Sequence, residues 1–253
     1  MNLALIGYGK MGKEAERIAL ERGHSISKTF DSKSAPLSGE EARRIDVGIH
    51  FSKAETVRKD IEHWSGLGKD LVVGTTGWGK DLDIVAALVK KAGTGLIYAS
   101  NYSIGVNLFF RLVQELGDLI NAFPEYDLSI HETHHKEKAD SPSGTALTLA
   151  EILLKRVERK KGKLVGAPEG KIKPELLHIV STRLGAVAGT HTVTADSGAD
   201  TIELTHRAKN RSGFALGAVL AAEWIHGRKG IFTMDDILEE MLTNRSRSQK
   251  SDF

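Results

Sequence analysis

Within the first twelve residues, Gly7, Gly9 and Gly12 are spaced as GxGxxG, directly behind a short apolar run at 3–6 and ahead of an amphipathic stretch at 14–21. Strand, glycine turn and helix in that order are the context a dinucleotide-binding βαβ unit requires, and no other feature constrains the fold as tightly. Gly7 permits the tight turn, Gly9 lets a pyrophosphate approach the backbone, and Gly12 lets the helix pack on the strand, while the helix N-terminus faces the phosphates. Asp31 closes a second strand candidate at 25–30, near the roughly 20-residue offset of an acid that binds an adenosine ribose. An Asp there favours NADH; Lys33, two residues on, either meets the 2′-phosphate of NADPH or is a solvated loop lysine. The competing reading is a glycine turn with no ligand.

The same rhythm continues through the first half, with strands expected at 47–51, 71–73 and 95–99 and a helix at 81–92. Apolar residues in runs suit strands covered on both faces, which implies a parallel sheet wound by helices. Past Asn101 the texture changes to a helix over 106–121, a half-exposed strand over 126–133 and a helix over 146–157 with Ser143 as cap behind Pro142. Residues 179–183, 191–195 and 201–207 read as strands of a mixed or antiparallel sheet, and helices over 215–225 and 234–242 return to the first domain. The basic stretch 156–163 is expected to be a solvated helix end, and the polar tail 245–253 to be frayed. The chain is therefore expected to be α/β, with a Rossmann-like dinucleotide-binding domain over 1–102 and 215–253. A second, α+β domain built on a mixed or antiparallel sheet, for substrate binding and oligomerisation, is expected over 103–214.

Lys and Arg number 35 against 33 Asp and Glu, too even a balance for a protein whose affinity rests on neutralising nucleic-acid phosphates. The chain has no cysteine, which removes disulfides, thiolate metal sites and cysteine nucleophiles. No apolar stretch approaches the roughly 18 residues of a membrane span, and the first strand lacks a basic leader. A soluble cytoplasmic protein that engages neither nucleic acid nor membrane is expected.

His134, His135 and Lys138 follow the strand that ends near 133, and Asp140, Pro142, Ser143, Gly144 and Thr145 lead into the next helix. Groups that donate protons or positive charge thus stand beside a helix N-terminus, whose Gly144 and Thr145 N–H groups suit a carboxylate. A structural histidine pair is the bland reading. A metal is the third, with His131 and Glu132 close by, but alternate side chains on a strand point to opposite faces, and no metal is expected.

The run Glu132 to Ala146 resembles the signature of the dihydrodipicolinate reductase family: an acid, any residue, His-His, two residues, Lys, any residue, Asp, any residue, Pro-Ser-Gly-Thr-Ala. Every fixed position is filled, and the likeness extends to Gly74 through Gly77, to Asn101 through Asn107, to Arg183 with Gly189 through His191, and to 233–238. The resemblance implies a 4-hydroxy-tetrahydrodipicolinate reductase of lysine and diaminopimelate biosynthesis, a homotetramer that moves hydride from NADH or NADPH to a cyclic unsaturated dicarboxylate. It implies that His134 is the acid/base, Lys138 a proton donor, His135 a substrate ligand, and Gly144 with Thr145 the carboxylate cradle. It places Gly7, Tyr8, Gly9, Lys10, Met11, Gly12, Asp31 and Lys33 on the adenosine and pyrophosphate side of the cofactor. Gly74, Thr75, Thr76, Ala99, Ser100, Asn101 and Tyr102 fall near the nicotinamide. In such a reaction a histidine near its ordinary pKa of roughly 6.5 suits proton delivery at neutral pH. The chain departs from the family where an Asp-Phe-Ser/Thr run and a later proline are usual: it has His50, Phe51, Ser52 and Ala54, and its 31–44 segment is short. The rival readings are another two-domain nicotinamide dehydrogenase and a catalytically silent dinucleotide sensor, and the His-His-Lys run argues against both.

Overall fold

The computed structural model describes residues 1–248, with side chains to residue 243. In chain order the elements are β1 (Asn2–Ile6), α1 (Lys10–Glu21), β2 (Ser25–Phe30), α2 (Gly39–Ala42), β3 (Val47–His50), α3 (Ala54–Gly66), β4 (Asp70–Val73), α4 (Leu82–Ala92) and β5 (Gly95–Tyr98). There follow α5 (Ile104–Asn121), β6 (Asp127–His134), α6 (Gly144–Arg156), β7 (Gly162–Val165), β8 (Leu176–Arg183), β9 (Thr190–Asp196) and β10 (Thr201–Arg207), then α7 (Ser212–Ile225), β11 (Gly230–Phe232) and α8 (Met234–Ser248). They form two compact units, one of Met1–Ser103 with the chain from Ser212 onward, the other Ile104–Arg211.

In the first unit six strands form a sheet in the order β11-β5-β4-β3-β1-β2, and every pairing is parallel. Every residue of β3 and β4 is buried, as strands covered by helices on both faces must be. Burying a side chain such as Leu3, Leu5, Ile49 or Leu71 contributes about 1.5–3 kcal/mol. The chain leaves β1 for β2 on one side and returns to β3 on the other, so the order reverses between β1 and β3. That switch point is where open α/β sheets hold ligands, beyond the carboxyl ends of the strands.

The second unit is a five-stranded mixed sheet in the order β10-β9-β6-β8-β7, its central β6 parallel to β8 and antiparallel to β9. Along β6 the side chains of Leu128, Ile130, Glu132 and His134 are buried in strict alternation. Leu128 and Ile130 join Phe109, Val113 and Leu116 of α5 and Leu149 and Leu153 of α6 in one core. Glu132 and His134 therefore share a face with the apolar core by the two-residue period alone.

The structure adds elements absent from the sequence expectation. Helix α3 presents Val57, Ile61 and Trp64, an i, i+4, i+7 stripe, to the sheet. The short α2 and the edge strands β7 and β11 carry too few residues to show a period. The unit edges fall at 103/104 and 211/212 rather than at 102/103 and 214/215. The basic stretch 156–163 is not simply a solvated helix end. Lys160 is only 3% exposed, and its ammonium donates to Asp127 (2.5 Å) and to the carbonyls of Pro174 (2.7 Å) and Leu176 (3.0 Å). The polar tail is helical as far as Ser248, and the rest of the segment expected to fray, 249–253, lies outside the described residues. Among the described residues no helix is long and apolar enough to cross a membrane.

Candidate active site

At the end of β6 the second unit gathers charge around one carboxylate. Glu132 has no exposed surface, and its Oε1 accepts from the Ser143 N–H (3.0 Å), the Ser181 hydroxyl (2.8 Å) and the Arg183 guanidinium (3.2 Å). Its Oε2 faces two rings, with His134 Nδ1 and His191 Nε2 each 3.4 Å away, beyond ordinary hydrogen-bond length. The rings meet edge to face at 5.0 Å, and His191 Nε2 also lies 3.1 Å from the Ser143 hydroxyl. Ser143 caps α6, accepting from the Ala146 N–H at 3.2 Å, so the carboxylate and the helix N-terminus at Gly144 and Thr145 are tied together. With Nδ1 toward Glu132, the Nε2 edge of His134 faces Gly189, where an added Cβ would stand 3.0 Å from the nitrogen.

Arg183 also fixes the loop that carries Lys138. It donates to the carbonyls of Lys138 (3.3 Å) and Asp140 (2.6 Å), while the Lys138 ammonium grips the Asp140 carboxylate at 2.7 and 2.9 Å. That contact holds the Asp140 carboxyl below the usual range. His135 is half-buried on the turn and accepts from the Lys138 N–H through its carbonyl.

The expected near-neutral His134 is corrected by its burial. Only 8% of the residue is exposed; desolvation first, then the charges of His191, Lys138 and Arg183, outweigh Glu132 and push the ring down to about 4. For Glu132, burial acts to raise the carboxyl and is the largest single influence, but His191, Ser143 and Ser181 together hold it well below the carboxylate range. The sign of the consequence is fixed by linkage. The unfolded chain protonates residue 134 near 6.5 and the folded chain only near 4, so stability is complete above pH 6.5 and falls between those values, by at most about 3 kcal/mol. Thermal unfolding followed from pH 7 to 4 will show that decline, and His134→Gln will flatten its upper part.

Glu132, His134 and His191 are also the one group among the described residues whose ligand atoms, all within 4.8 Å of one another, could hold a metal ion. Arg183 already brings positive charge to that carboxylate. His131, the residue that made the sequence cluster look denser, lies on the other face of β6 and contacts Thr182 at 3.0 Å. The sequence reading gave no role to Glu132, Arg183 or His191. Their meeting depends on the β6–β8 and β6–β9 registers, which pair His134 with Arg183 and Glu132 with His191.

In the first unit, Gly7 has φ +93°, and a Cβ there would lie 2.0 Å from the Phe51 carbonyl oxygen; one on Gly12 would lie 2.3 Å from the Gly7 carbonyl. Gly9 opens α1 with no capping side chain and open space beside it, and Tyr8, Lys10 and Met11 flank it. That is a cradle an anionic pyrophosphate fits. Asp31 is preset: its Oδ1 accepts from the Lys33 N–H and the Ser34 hydroxyl, both at 2.9 Å, and these contacts lower its carboxyl. The Lys33 side chain is exposed. Gly74, Thr75 and Thr76 follow β4, and Ala99, Ser100 and Asn101 follow β5. Tyr102 lies beneath them, buried, its hydroxyl shared between the carbonyls of Val73 (3.1 Å) and Ile97 (3.0 Å), so it supports the loop from below.

Two family profiles match this chain, "Dihydrodipicolinate reductase, N-terminus" over residues 1–102 and "Dihydrodipicolinate reductase, C-terminus" over residues 105–238. The chain belongs to the dihydrodipicolinate reductase family. As a member of this family it is a nicotinamide-dependent oxidoreductase, and its first unit is a dinucleotide-binding fold. It is 43% identical to the 4-hydroxy-tetrahydrodipicolinate reductase of Christiangramia forsetii, over 96% of this chain and all of that one. It is 36% identical to the enzyme of the same name from Archaeoglobus fulgidus, over 94% of this chain and all of that one. The dipicolinate-bound dihydrodipicolinate reductase of Paenisporosarcina sp. TG-14 shares the fold of this family member, with a TM-score of 0.72 at 22% identity over 92% of this chain and 97% of that one.

Proposed function

We propose that this chain reduces the cyclic unsaturated dicarboxylate derived from 4-hydroxy-tetrahydrodipicolinate to tetrahydrodipicolinate, with His134 as the acid/base. The observation that carries the assignment is the buried Glu132–His134 pair, beside the cations of Lys138 and Arg183 and the start of α6. A bound nicotinamide would supply a hydride to ring carbon 4, and the electron pair of the conjugated C=C–C=N unit would move onto nitrogen. The enamine so formed needs a proton on carbon, and His134 Nε2 delivers it while Glu132 holds the opposite edge of the ring. Lys138 and His135 bind one substrate carboxylate, and Gly144 with Thr145 cradle the other at the helix N-terminus. Two incoming carboxylates favour the protonated imidazole, which offsets the burial that keeps the ring neutral in the free protein.

The preset Asp31 carboxylate suits the two hydroxyls of an unphosphorylated ribose, so NADH is the preferred cofactor and NADPH is accepted through Lys33. The resemblance to the family supports a cytoplasmic homotetramer. The test is cofactor oxidation followed by absorbance with freshly generated substrate. Turnover with both cofactors, and a kcat/KM for NADH about 10-fold or more above that for NADPH, is expected from one unfavourable carboxylate–phosphate contact. Cofactor binding with no oxidation would sink the assignment, and a preference for NADPH would sink the role of Asp31.

A further inference from the structure

The first unit contains a buried histidine that the reduction does not use. His50, the last residue of β3, has no exposed surface, yet both its ring nitrogens are engaged. Nε2 lies 2.9 Å from Asp60 Oδ2 on α3, and Nδ1 lies 2.8 Å from the Thr75 hydroxyl just beyond β4. The Ser52 N–H donates to that same Thr75 oxygen at 2.9 Å. A proton arrangement that satisfies every group has His50 Nε2–H donating to the Asp60 carboxylate, the Thr75 hydroxyl donating to Nδ1, and the Ser52 N–H filling the oxygen's acceptor site. Burial acts to raise the Asp60 carboxyl, but the His50 and Thr56 contacts hold it below its ordinary range, so the acceptor is ionised. Thr75 is held a second way, since its carbonyl accepts from the Trp78 indole at 2.8 Å.

Strand order says what these loops face. Going from β2 through β1 and β3 to β4, Asp31 lies beyond the first strand, Gly7 to Gly12 beyond the second, and Ser52 and Thr75 beyond the last two. A dinucleotide whose adenosine ribose meets Asp31 and whose pyrophosphate meets α1 extends its other half over the ends of β3 and β4. We propose that Asp60 and His50 form a positioning relay, which fixes Thr75 and Ser52 and so shapes the loops that receive the nicotinamide half of the cofactor. Neither residue touches the cofactor; they act through Thr75. The inference rests on the dinucleotide reading of this unit and is independent of the dicarboxylate.

A histidine that only stabilises the fold and one that shapes half of a binding crevice differ in which ligand they affect. NADH and ADP-ribose, which lacks the nicotinamide, are titrated by calorimetry into the full-length chain with no dicarboxylate present. Asp60 is one-third exposed on a helix, so Asp60→Ala is a mild change for the fold. It is expected to weaken NADH by about 10-fold, the effect of losing one hydrogen bond to a charged group, and to leave ADP-ribose within about twofold. Asp60→Asn, whose amide oxygen still accepts from Nε2, stays within about threefold of the parent for both ligands. Equal weakening of NADH and ADP-ribose by Asp60→Ala, or no change in either, overturns the relay. A parent chain that binds neither ligand overturns the dinucleotide reading, and the relay with it.

Discussion

Replacing His134 with glutamine will lower kcat by about 10²- to 10⁴-fold, the usual contribution of a positioned acid/base, while the affinity for NADH stays within about twofold. Glutamine keeps the reach of the side chain and a polar end, but it cannot carry a proton to carbon. The loss should fall on kcat more than on KM, because in the proposed function His135, Lys138 and the start of α6, not His134, hold the carboxylates. The pH dependence separates this account from a purely structural histidine. In the free protein burial pushes the ring down to about 4, and the bound dicarboxylate favours its protonated form. The kcat profile should therefore lose activity at a higher pH than the free protein's own titration, and His134→Gln should remove that limb. A variant with parental kcat would show that the proton comes from elsewhere, with Lys138 the first alternative.

Glu132→Ala will destabilise the second unit by about 3–5 kcal/mol, the cost of removing one partner from a buried ion pair. The fully buried carboxylate receives Ser143 N–H, Ser181 and Arg183 on one oxygen and faces two histidines with the other, so alanine takes a partner from each of the five, although Arg183 keeps its carbonyl acceptors and His191 its contact with the Ser143 hydroxyl. Glu132→Gln is the discriminating variant. Its amide oxygen still accepts from Ser143 and Ser181, so most of the stability should return, but the charge that orients His134 and balances Arg183 does not. Melting should recover to within about 1–2 kcal/mol of the parent, with kcat still depressed by about 10-fold or more, as removal of a positioning group predicts. Equal stability for all three proteins would mean that the carboxylate is a bystander. Full activity in Glu132→Gln would mean that it is structural only.

Local rules make much of this legible in the sequence itself. The glycine spacing at residues 7–12, the run from Glu132 to Ala146 and the cap at Ser143 each span no more than fifteen residues, within reach of a local pattern. The parallel sheet followed from the mainly apolar runs at 47–51 and 71–73, which suit two covered faces. Long-range pairing was not legible. Arg183 and His191 reach Glu132 because β8 and β9 flank β6 in a register that no spacing encodes, and a shift of one residue would turn them to the other face. Lys160 looked like one more surface lysine in a basic run, and the Asp127 carboxylate together with the carbonyls of Pro174 and Leu176, brought in by the turn before β8, makes its burial tolerable. The His134 ring misled for the same reason, since Arg183, Gly189 and His191, all distant along the chain, join the local Glu132 and Lys138 in burying and charging its surroundings. His50 read as a departure from the family pattern; its meaning came from Asp60 on α3, a helix absent from the sequence expectation.

The most direct test of the central claim follows the hydride itself. NADH doubly deuterated at nicotinamide C4 is given to the parent chain with freshly generated dicarboxylate, and the product is analysed by mass spectrometry and NMR. Tetrahydrodipicolinate with a single deuterium at ring carbon 4 is expected for each NADH oxidised, and no labelled product from His134→Gln on the same timescale. Unlabelled product, deuterium at another carbon, or NADH that binds and is never oxidised would contradict the claim.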